Sequence, residues 1–233
     1  MEQILDIFYL SRKRISLCAA ILMSLLSSAS YAGGVGLGAT RIIYPAETKQ
    51  AALAVTNTDK KNVFLLQSWV ESAEGLVTQD FAITPPLFVI KKQSENTLRL
   101  VYGGPPLPED RETLFWVNVK AIPSTDKEAT EGKNQLRLAV VSRIKMFYRP
   151  EGLTGDSRDA ALNMKVNRVG EQVLINNPSA YFVNLVQLKV GTQQLENTMV
   201  GPYSEVKVDI PMKAAGEISY SFVSDYGGVV KVK

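Results

Sequence analysis

Short runs of alternating apolar and polar residues make up most of the chain after residue 50. These runs are rich in Val, Leu, Phe and Trp and are bounded by Asn, Asp, Gly and Pro, as in "NVFLLQSWVE", "NTLRLVY" and "TLFWVNVKAIP". Strands with one buried face have this two-residue period, whereas no convincing helical period of apolar residues is present. The pattern predicts an all-β fold built from packed sheets.

A polar segment divides this strand pattern into two halves. Residues 151–161, "EGLTGDSRDAA", contain Gly, Ser and Asp without alternation, and strand-like runs resume at "LNMKVNRVG". Each half has about 100 residues, the usual size of an immunoglobulin-like sandwich. We therefore predict two such sandwiches in series, an N-terminal domain over residues 33–152 and a C-terminal domain over residues 153–233.

The first 32 residues have a different character. Arg12, Lys13 and Arg14 precede the apolar run 15–26, and small residues follow up to Ala32. A basic start, a short apolar run and small residues at the end are typical of a secretory signal peptide. The apolar run is shorter than the roughly 20 residues that cross a bilayer. We predict a signal peptide over residues 1–32 and a mature chain that is exported and not inserted in a membrane.

Composition excludes several classes of chemistry. The 233 residues include no histidine, and the single cysteine, Cys18, lies within the predicted signal peptide. A Ser-His or Cys-His nucleophile and the usual zinc sites are therefore out of reach. The formal net charge of +3 is spread along the chain, which is not the pattern of a nucleic-acid-binding protein. We expect no enzymatic activity, no catalytic residue, no cofactor and no metal.

The stretch 135–150, "QLRLAVVSRIKMFYRP", combines an apolar stripe with several cations. Leu136, Leu138 and Val140 share one face of an extended strand, whereas Lys145 lies on the other face, close to the predicted domain junction. The stripe has two interpretations, an ordinary strand that packs into the core or an apolar surface that serves a partner. The alternation alone does not separate them.

Several motifs in a fixed order resemble one known family. They include "TRIIYP", "VTNTD", "TPPLF", "LPEDRETLFWVNVKAIP", "RIKMFYRP", "NPSAYFVNL" and "SDYGG", spread from about Val35 to Val232. Each motif is weak alone, but their joint order is specific. On these motifs the sequence is similar to the periplasmic pilus chaperone family, which uses the sandwich architecture and donor-strand complementation. The short segment between Ser124 and Lys133 resembles the short-loop branch of the chaperone–usher pathway.

The resemblance implies a function for the exported chain. It implies a boomerang of two immunoglobulin-like domains that binds fimbrial (pilin) subunits in the periplasm and delivers them to an outer-membrane usher. In its cleft, Arg41 and Lys145 would anchor the C-terminal carboxylate of a subunit. Leu136, Leu138 and Val140 would form the donor strand that fills the groove of an incomplete subunit.

The resemblance also implies a structural role for three further charged residues. Glu112, Arg149 and Asp225 match the interdomain charge network of the family, which fixes the angle between the two domains. An alternative function of a different class stays open, an exported two-domain adhesion or carbohydrate-binding module with the same fold. Self-association of the free chaperone, which would protect its own strand, also stays open.

Overall fold

Nearly all regular structure in the chain is β. The computed structural model describes residues 33–124, 138–212 and 214–232, and it arranges their strands in two β-sandwiches that follow each other along the chain. Each sandwich has its own cluster of buried apolar side chains. The predicted all-β fold of two immunoglobulin-like sandwiches is confirmed.

The first sandwich consists of a four-stranded sheet and a five-stranded sheet. The four-stranded sheet has the order β1-β3-β7-β5, and the five-stranded sheet has the order β2-β9-β8-β4-β6. The strands are β1 (Val35–Leu37), β2 (Arg41–Pro45), β3 (Ala51–Asn57), β4 (Phe64–Ser72), β5 (Phe81–Thr84), β6 (Leu87–Ile90), β7 (Ser94–Tyr102), β8 (Thr113–Pro123) and β9 (Val140–Arg149).

Strand alternation builds the core of this sandwich. Leu53 and Val55 of β3 alternate with more exposed neighbours, and Leu66 of β4 and Val117 of β8 face them from the other sheet in the same buried cluster. Full burial of an aliphatic side chain of this size contributes about 1.5–3 kcal/mol. The two-residue period read from the sequence therefore specifies which face of each sheet is buried.

The second sandwich consists of a three-stranded sheet and a five-stranded sheet. The orders are β10-β11-β15 and β13-β12-β16-β17, and β14 also pairs with β12. The strands are β10 (Lys165–Val169), β11 (Gln172–Asn177), β12 (Val183–Val190), β13 (Gln193–Gln194), β14 (Thr198–Val200), β15 (Ser204–Asp209), β16 (Ile218–Val223) and β17 (Val229–Lys231).

A short helix, α1 (Ser157–Leu162), lies in the polar segment between the two sandwiches. The side chain of Asp156 accepts a hydrogen bond of 2.7 Å from the backbone N–H of Asp159, which caps the start of the helix. Ala160 and Ala161 pack into the core of the second sandwich. The sequence shows no helical period here, because six residues are too few to display a 3.6-residue period.

The strand predicted from residue 135 begins later in the structure. β9 begins at Val140, and Leu138 and Ala139 precede the strand. Leu136 lies outside the described residues. Within the described ranges, no helix is long and apolar enough to span a bilayer.

Candidate functional site

The apolar stripe of β9 changes its environment along the strand. Leu138 and Val140 are 69% and 63% exposed, whereas Ile144 packs against the first core and Met146 is fully buried within it. These residues have the same parity, so the stripe leaves the sandwich towards its N-terminal end. For Leu138 and Val140, the interpretation as ordinary core residues is wrong.

The same part of β9 has an open edge among the described residues. β8 pairs with β9 along Val140–Tyr148, but β2 pairs with the opposite edge only from Lys145 to Arg149. Between Val140 and Ile144 no other described strand pairs with that edge. Unpaired N–H and C=O groups on an edge offer hydrogen bonds to another extended chain.

Arg41 and Lys145 lie side by side where the open edge ends. They are register partners in the parallel pair of β2 and β9, and β2 begins at Arg41. Alternation places both on the sheet face opposite to Ile42 and Met146, which are buried in the core. Within the described residues, neither cation forms an ion pair with a carboxylate.

Lys145 is half-buried between the two sandwiches. Its ammonium donates a hydrogen bond to Asn184 Oδ1 of β12, and its Nζ lies 5.8 Å from the centre of the Trp116 ring. Burial and, to a smaller extent, the positive charge of Arg41 lower the pKa of Lys145 to about 8. The site therefore raises the free energy of the charged ammonium, and a nearby anion would lower it.

Arg41 is also only partly satisfied. Its Nη1 donates a hydrogen bond of 3.0 Å to the backbone carbonyl of Val223, whereas its buried Nε has no hydrogen-bond partner among the described residues. Burial lowers the pKa of Arg41, and the negative charges of Asp225 and Glu112 offset part of that shift. A guanidinium remains charged despite such a shift.

Arg149 belongs to a second charged cluster. It lies four residues after Lys145 on the same face of β9. Its Nε donates to Glu112 Oε1 at 2.7 Å, and its Nη1 and Nη2 donate to the two carboxylate oxygens of Asp225 at 2.8 and 3.2 Å. Glu112 is 3% exposed and also accepts a hydrogen bond of 2.7 Å from the backbone N–H of Phe182. The structure thus brings together the three residues that the sequence placed in one network.

The two sandwiches meet along alternate residues of β9. Phe147 stacks on Phe182 with ring centres 5.4 Å apart, and Lys145 and Arg149 on either side of Phe147 contact Asn184 and Asp225. The face of β9 opposite to the core is therefore the face that contacts the second sandwich. This explains why a long β-strand carries cations at alternate positions.

A turn of the second sandwich also approaches the first sandwich next to Arg41. Gly227 has φ +82°, and a Cβ at this position would lie 2.3 Å from Thr40 Oγ1. Only glycine fits this close contact without a shift of one of the two segments. Asp225 lies in the same turn, and Val223 ends the strand before it, so two groups of the junction lie close to this contact.

Sequence reasoning missed several groups of this site. Asn184 lies in the motif "NPSAYFVNL", but nothing in the pattern marks it as a partner of Lys145. The Val223 carbonyl belongs to the backbone, and the sequence carries no signal for it. Trp116 of "DRETLFWVN" pairs in register with Lys145, and this register is visible only in the structure.

Two family models cover this chain. The model described as "Pili and flagellar-assembly chaperone, PapD N-terminal domain" matches residues 34–154, and the model "Pili assembly chaperone PapD, C-terminal domain" matches residues 159–233. Together they cover both sandwiches, and the site above lies where the two matched regions meet. The chain belongs to the PapD-like family of pilus assembly chaperones.

Curated relatives agree with the family. The probable fimbrial chaperone SfmC of Escherichia coli K12 is 46% identical over 222 residues, which cover 94% of this chain and 96% of SfmC. The chaperone protein FimC of the same strain is 44% identical over 216 residues, which cover 91% of this chain and 89% of FimC. The predicted function, a periplasmic chaperone in pilus assembly, is confirmed.

Solved structures share the fold at substantial identity. The periplasmic chaperone SfaE is 46% identical with a TM-score of 0.74, and the match covers 85% of this chain and 98% of SfaE. The SafB chaperone of Salmonella enterica, solved with the SafA pilin, is 32% identical with a TM-score of 0.77, and the match covers 86% of this chain and 95% of that chain.

Proposed function

We propose that this chaperone is exported by the signal at residues 1–32, binds fimbrial subunits by lending them a strand, and delivers them to an outer-membrane usher. One observation carries the proposal. The open edge of β9 leads directly to Arg41 and Lys145, two half-buried cations without a carboxylate partner among the described residues. The SafB chaperone, solved in complex with a pilin, supports this class of partner.

The geometry of the edge determines how a partner strand binds. β2 occupies the edge of β9 from Lys145 onward, so an incoming strand ends where β2 begins, at Arg41. The preceding residues of that strand then lie beside Ile144 and, further back, Val140. Two cations at this point favour the negatively charged C-terminus of a chain over its N-terminus. We infer that the partner strand runs parallel to β9 and places its last residue at the two cations.

A chain that ends at this point presents its terminal carboxylate to both cations. Guanidinium and ammonium groups donate charge-assisted hydrogen bonds to a carboxylate, and each contributes about 1.5–3 kcal/mol. The Nε of Arg41, which has no hydrogen-bond partner among the described residues, supplies a donor. The carboxylate also offsets the burial and the positive charge of Arg41, which together lower the pKa of Lys145. The terminus of a fimbrial subunit is therefore the ligand that fits this site.

The exposed residues of the stripe supply the apolar part of the interface. Leu138 and Val140 extend beyond the core, and Leu136, outside the described residues, continues their parity. A subunit that lacks one strand of an immunoglobulin-like fold exposes an apolar groove and an unpaired edge. Each Leu or Val side chain buried there contributes about 1.5–3 kcal/mol.

The Glu112, Arg149 and Asp225 network holds both domains around this site. Arg149 belongs to the strand that carries Lys145, and Asp225 follows Val223, whose carbonyl accepts from Arg41. The network therefore fixes the backbone on both sides of the cation pair. We propose that it keeps the site in its binding geometry and that the chaperone acts stoichiometrically, without enzymatic chemistry, cofactor or nucleotide.

Val140→Glu tests the proposal. A carboxylate at this position enters the apolar groove of a subunit only at a desolvation cost of several kcal/mol, whereas the exposed position tolerates it in the free chaperone. We expect the variant to fold normally and to lose co-purification with fimbrial subunits from the same genome after periplasmic co-expression. Leu138→Glu should behave in the same way.

Val169→Glu is the matched control, because Val169 is a 58% exposed strand valine in the second sandwich. It should fold and retain the subunit. Retention of the subunit by Val140→Glu, with a circular dichroism spectrum equal to that of the wild type, would contradict the donor-strand role.

A further inference from the structure

Asn184 is a buried polar side chain at the junction of the two sandwiches. Its neighbours on β12, Val183 and Leu185, point into the second core, so alternation turns Asn184 to the opposite face. Such a face is normally exposed to solvent, but Asn184 is only 5% exposed, and its Oδ1 contacts Lys145 of the first sandwich. Asn184 is therefore a contribution of the second sandwich to the cation site.

The polarity of this contact fixes the orientation of the amide. A lysine ammonium has only donors, so the amide oxygen of Asn184 faces Lys145. The amide nitrogen, Nδ2, therefore points away from Lys145. It is buried without a hydrogen-bond partner among the described residues. A buried donor without a partner costs about 1–3 kcal/mol, so this position requires an explanation.

The unsatisfied groups of the cation site are all donors. Asn184 Nδ2 and Arg41 Nε are buried without partners in the described part of the chain, and Trp116 Nε1, beside Lys145, is a third such donor. A group that satisfies several donors at once must carry several acceptor lone pairs. A carboxylate has about four acceptor sites and the negative charge that two neighbouring cations favour.

We propose that Asn184 is a third ligand of the terminal carboxylate of the partner, and that it donates from Nδ2 while its Oδ1 holds the ammonium of Lys145. This inference rests on the proposed function. Asparagine suits both tasks, because an aspartate would neutralise Lys145 and repel the carboxylate, whereas an apolar residue would leave the ammonium without an acceptor. The carboxylate site then includes side chains from both sandwiches, and its affinity depends on their arrangement.

Peptide binding tests the role of Asn184. The probe is a synthetic peptide of the C-terminal strand of a fimbrial subunit from the same genome, prepared as the free acid and as the C-terminal amide. We expect the wild type to prefer the free acid, and Asn184→Ala to bind the free acid about ten- to one-hundred-fold more weakly while its affinity for the amide changes little. Asn167→Ala, at an exposed asparagine of β10, is the matched control and should match the wild type.

A second measurement separates contact with Lys145 from a general structural effect. The pKa of Lys145 in the free chaperone is followed by NMR of its side chain. Loss of the acceptor in Asn184→Ala should lower this pKa below that of the wild type, and the added anion in Asn184→Asp should raise it. An unchanged pKa in both variants would overturn the proposed contact.

The outcomes separate this inference from the proposed function. If the wild type does not distinguish the free acid from the amide, the carboxylate anchor itself is wrong. If the wild type prefers the free acid and Asn184→Ala keeps the same preference, only the role of Asn184 is overturned. If Asn184→Ala fails to fold, the isosteric Asn184→Asp replaces it, and we expect it to lose the preference for the free acid; an undiminished preference would overturn the inference.

Discussion

Two charged clusters lie along the same face of β9, and they differ in how their charges are satisfied. Arg149 has carboxylate partners on both sides, Glu112 and Asp225, within 3.2 Å. Arg41 and Lys145 are similarly half-buried, but among the described residues their polar contacts are neutral oxygens. Among the residues that the structure describes, only the Arg149 cluster has an anion for its cation.

The difference indicates two different roles. A buried cation with its anions in place is a structural element, because removal of one partner leaves an uncompensated charge. A pair of buried cations without an anion destabilises the free chain and becomes favourable only when an anion binds. We therefore propose that the Arg149 cluster stabilises the domain junction and that Arg41 and Lys145 provide affinity for a partner.

Substitution of one cation in each cluster should give the largest difference between the clusters, because only one of the two substitutions should strongly lower the free energy of unfolding. Arg149→Met leaves the carboxylate of Glu112 buried without its cation, and we expect the free energy of unfolding to fall by about 3–5 kcal/mol. Lys145→Met removes a buried charge that has no anionic partner among the described residues, and this gain offsets the loss of the donor to Asn184 Oδ1. We therefore expect a net change of less than about 1 kcal/mol. Urea denaturation monitored by circular dichroism measures both values. Equal destabilisation by the two substitutions would contradict the distinction.

We expect a smaller effect of pH on the affinity of the cation site for a carboxylate. Lys145 has a pKa of about 8 in the free chain, so the ammonium that a carboxylate requires is lost as pH rises above this value. Below about pH 7 affinity should be constant, and between about pH 8 and 9 it should fall up to about tenfold. The stability of the free chain changes with pH in the opposite direction. The pKa of Lys145 is lower in the folded chain than in the unfolded chain, so the free energy of unfolding rises as pH increases above about 8.

Lys145→Arg provides the control for this titration. A guanidinium does not titrate in this range, so the affinity of the variant for the free-acid peptide should not depend on pH between about 7 and 9. Calorimetric titration at several pH values measures the slopes. Equal slopes for the wild type and Lys145→Arg would show that another group causes the pH dependence.

The sequence predicted those features that depend on alternation and on ordered motifs. The two-residue period indicated two β-sandwiches, and the parity of Lys145 against Leu138 and Val140 placed its side chain away from the core face. Ordered motifs brought Arg41 next to Lys145, and Glu112 next to Arg149. These pairings came from the resemblance of the motifs to the family, because alternation assigns each residue to a face of its strand but does not identify its neighbour on another strand.

Other features depend on contacts that no local pattern encodes. Asn184 occupies a position that alternation assigns to a solvent-exposed face, and only the packing of the other sandwich buries it. The exposure of Val140 depends on where the sheet ends, since an apolar residue of the same parity, Met146, is buried. The helix at Ser157–Leu162 is too short for a periodic signal, although Asp156 is a typical N-cap residue.

A double-mutant cycle between Lys145 and the carboxylate of the partner tests the central claim most directly. The affinities of the wild type and of Lys145→Ala are measured for the C-terminal peptide of a fimbrial subunit as the free acid and as the amide. If the ammonium contacts the carboxylate, amidation should weaken binding to the wild type at least about tenfold more than binding to Lys145→Ala, a coupling of about 1.4 kcal/mol or more. If amidation weakens both proteins by the same factor, Lys145 does not contact the carboxylate, and the account of the site is contradicted.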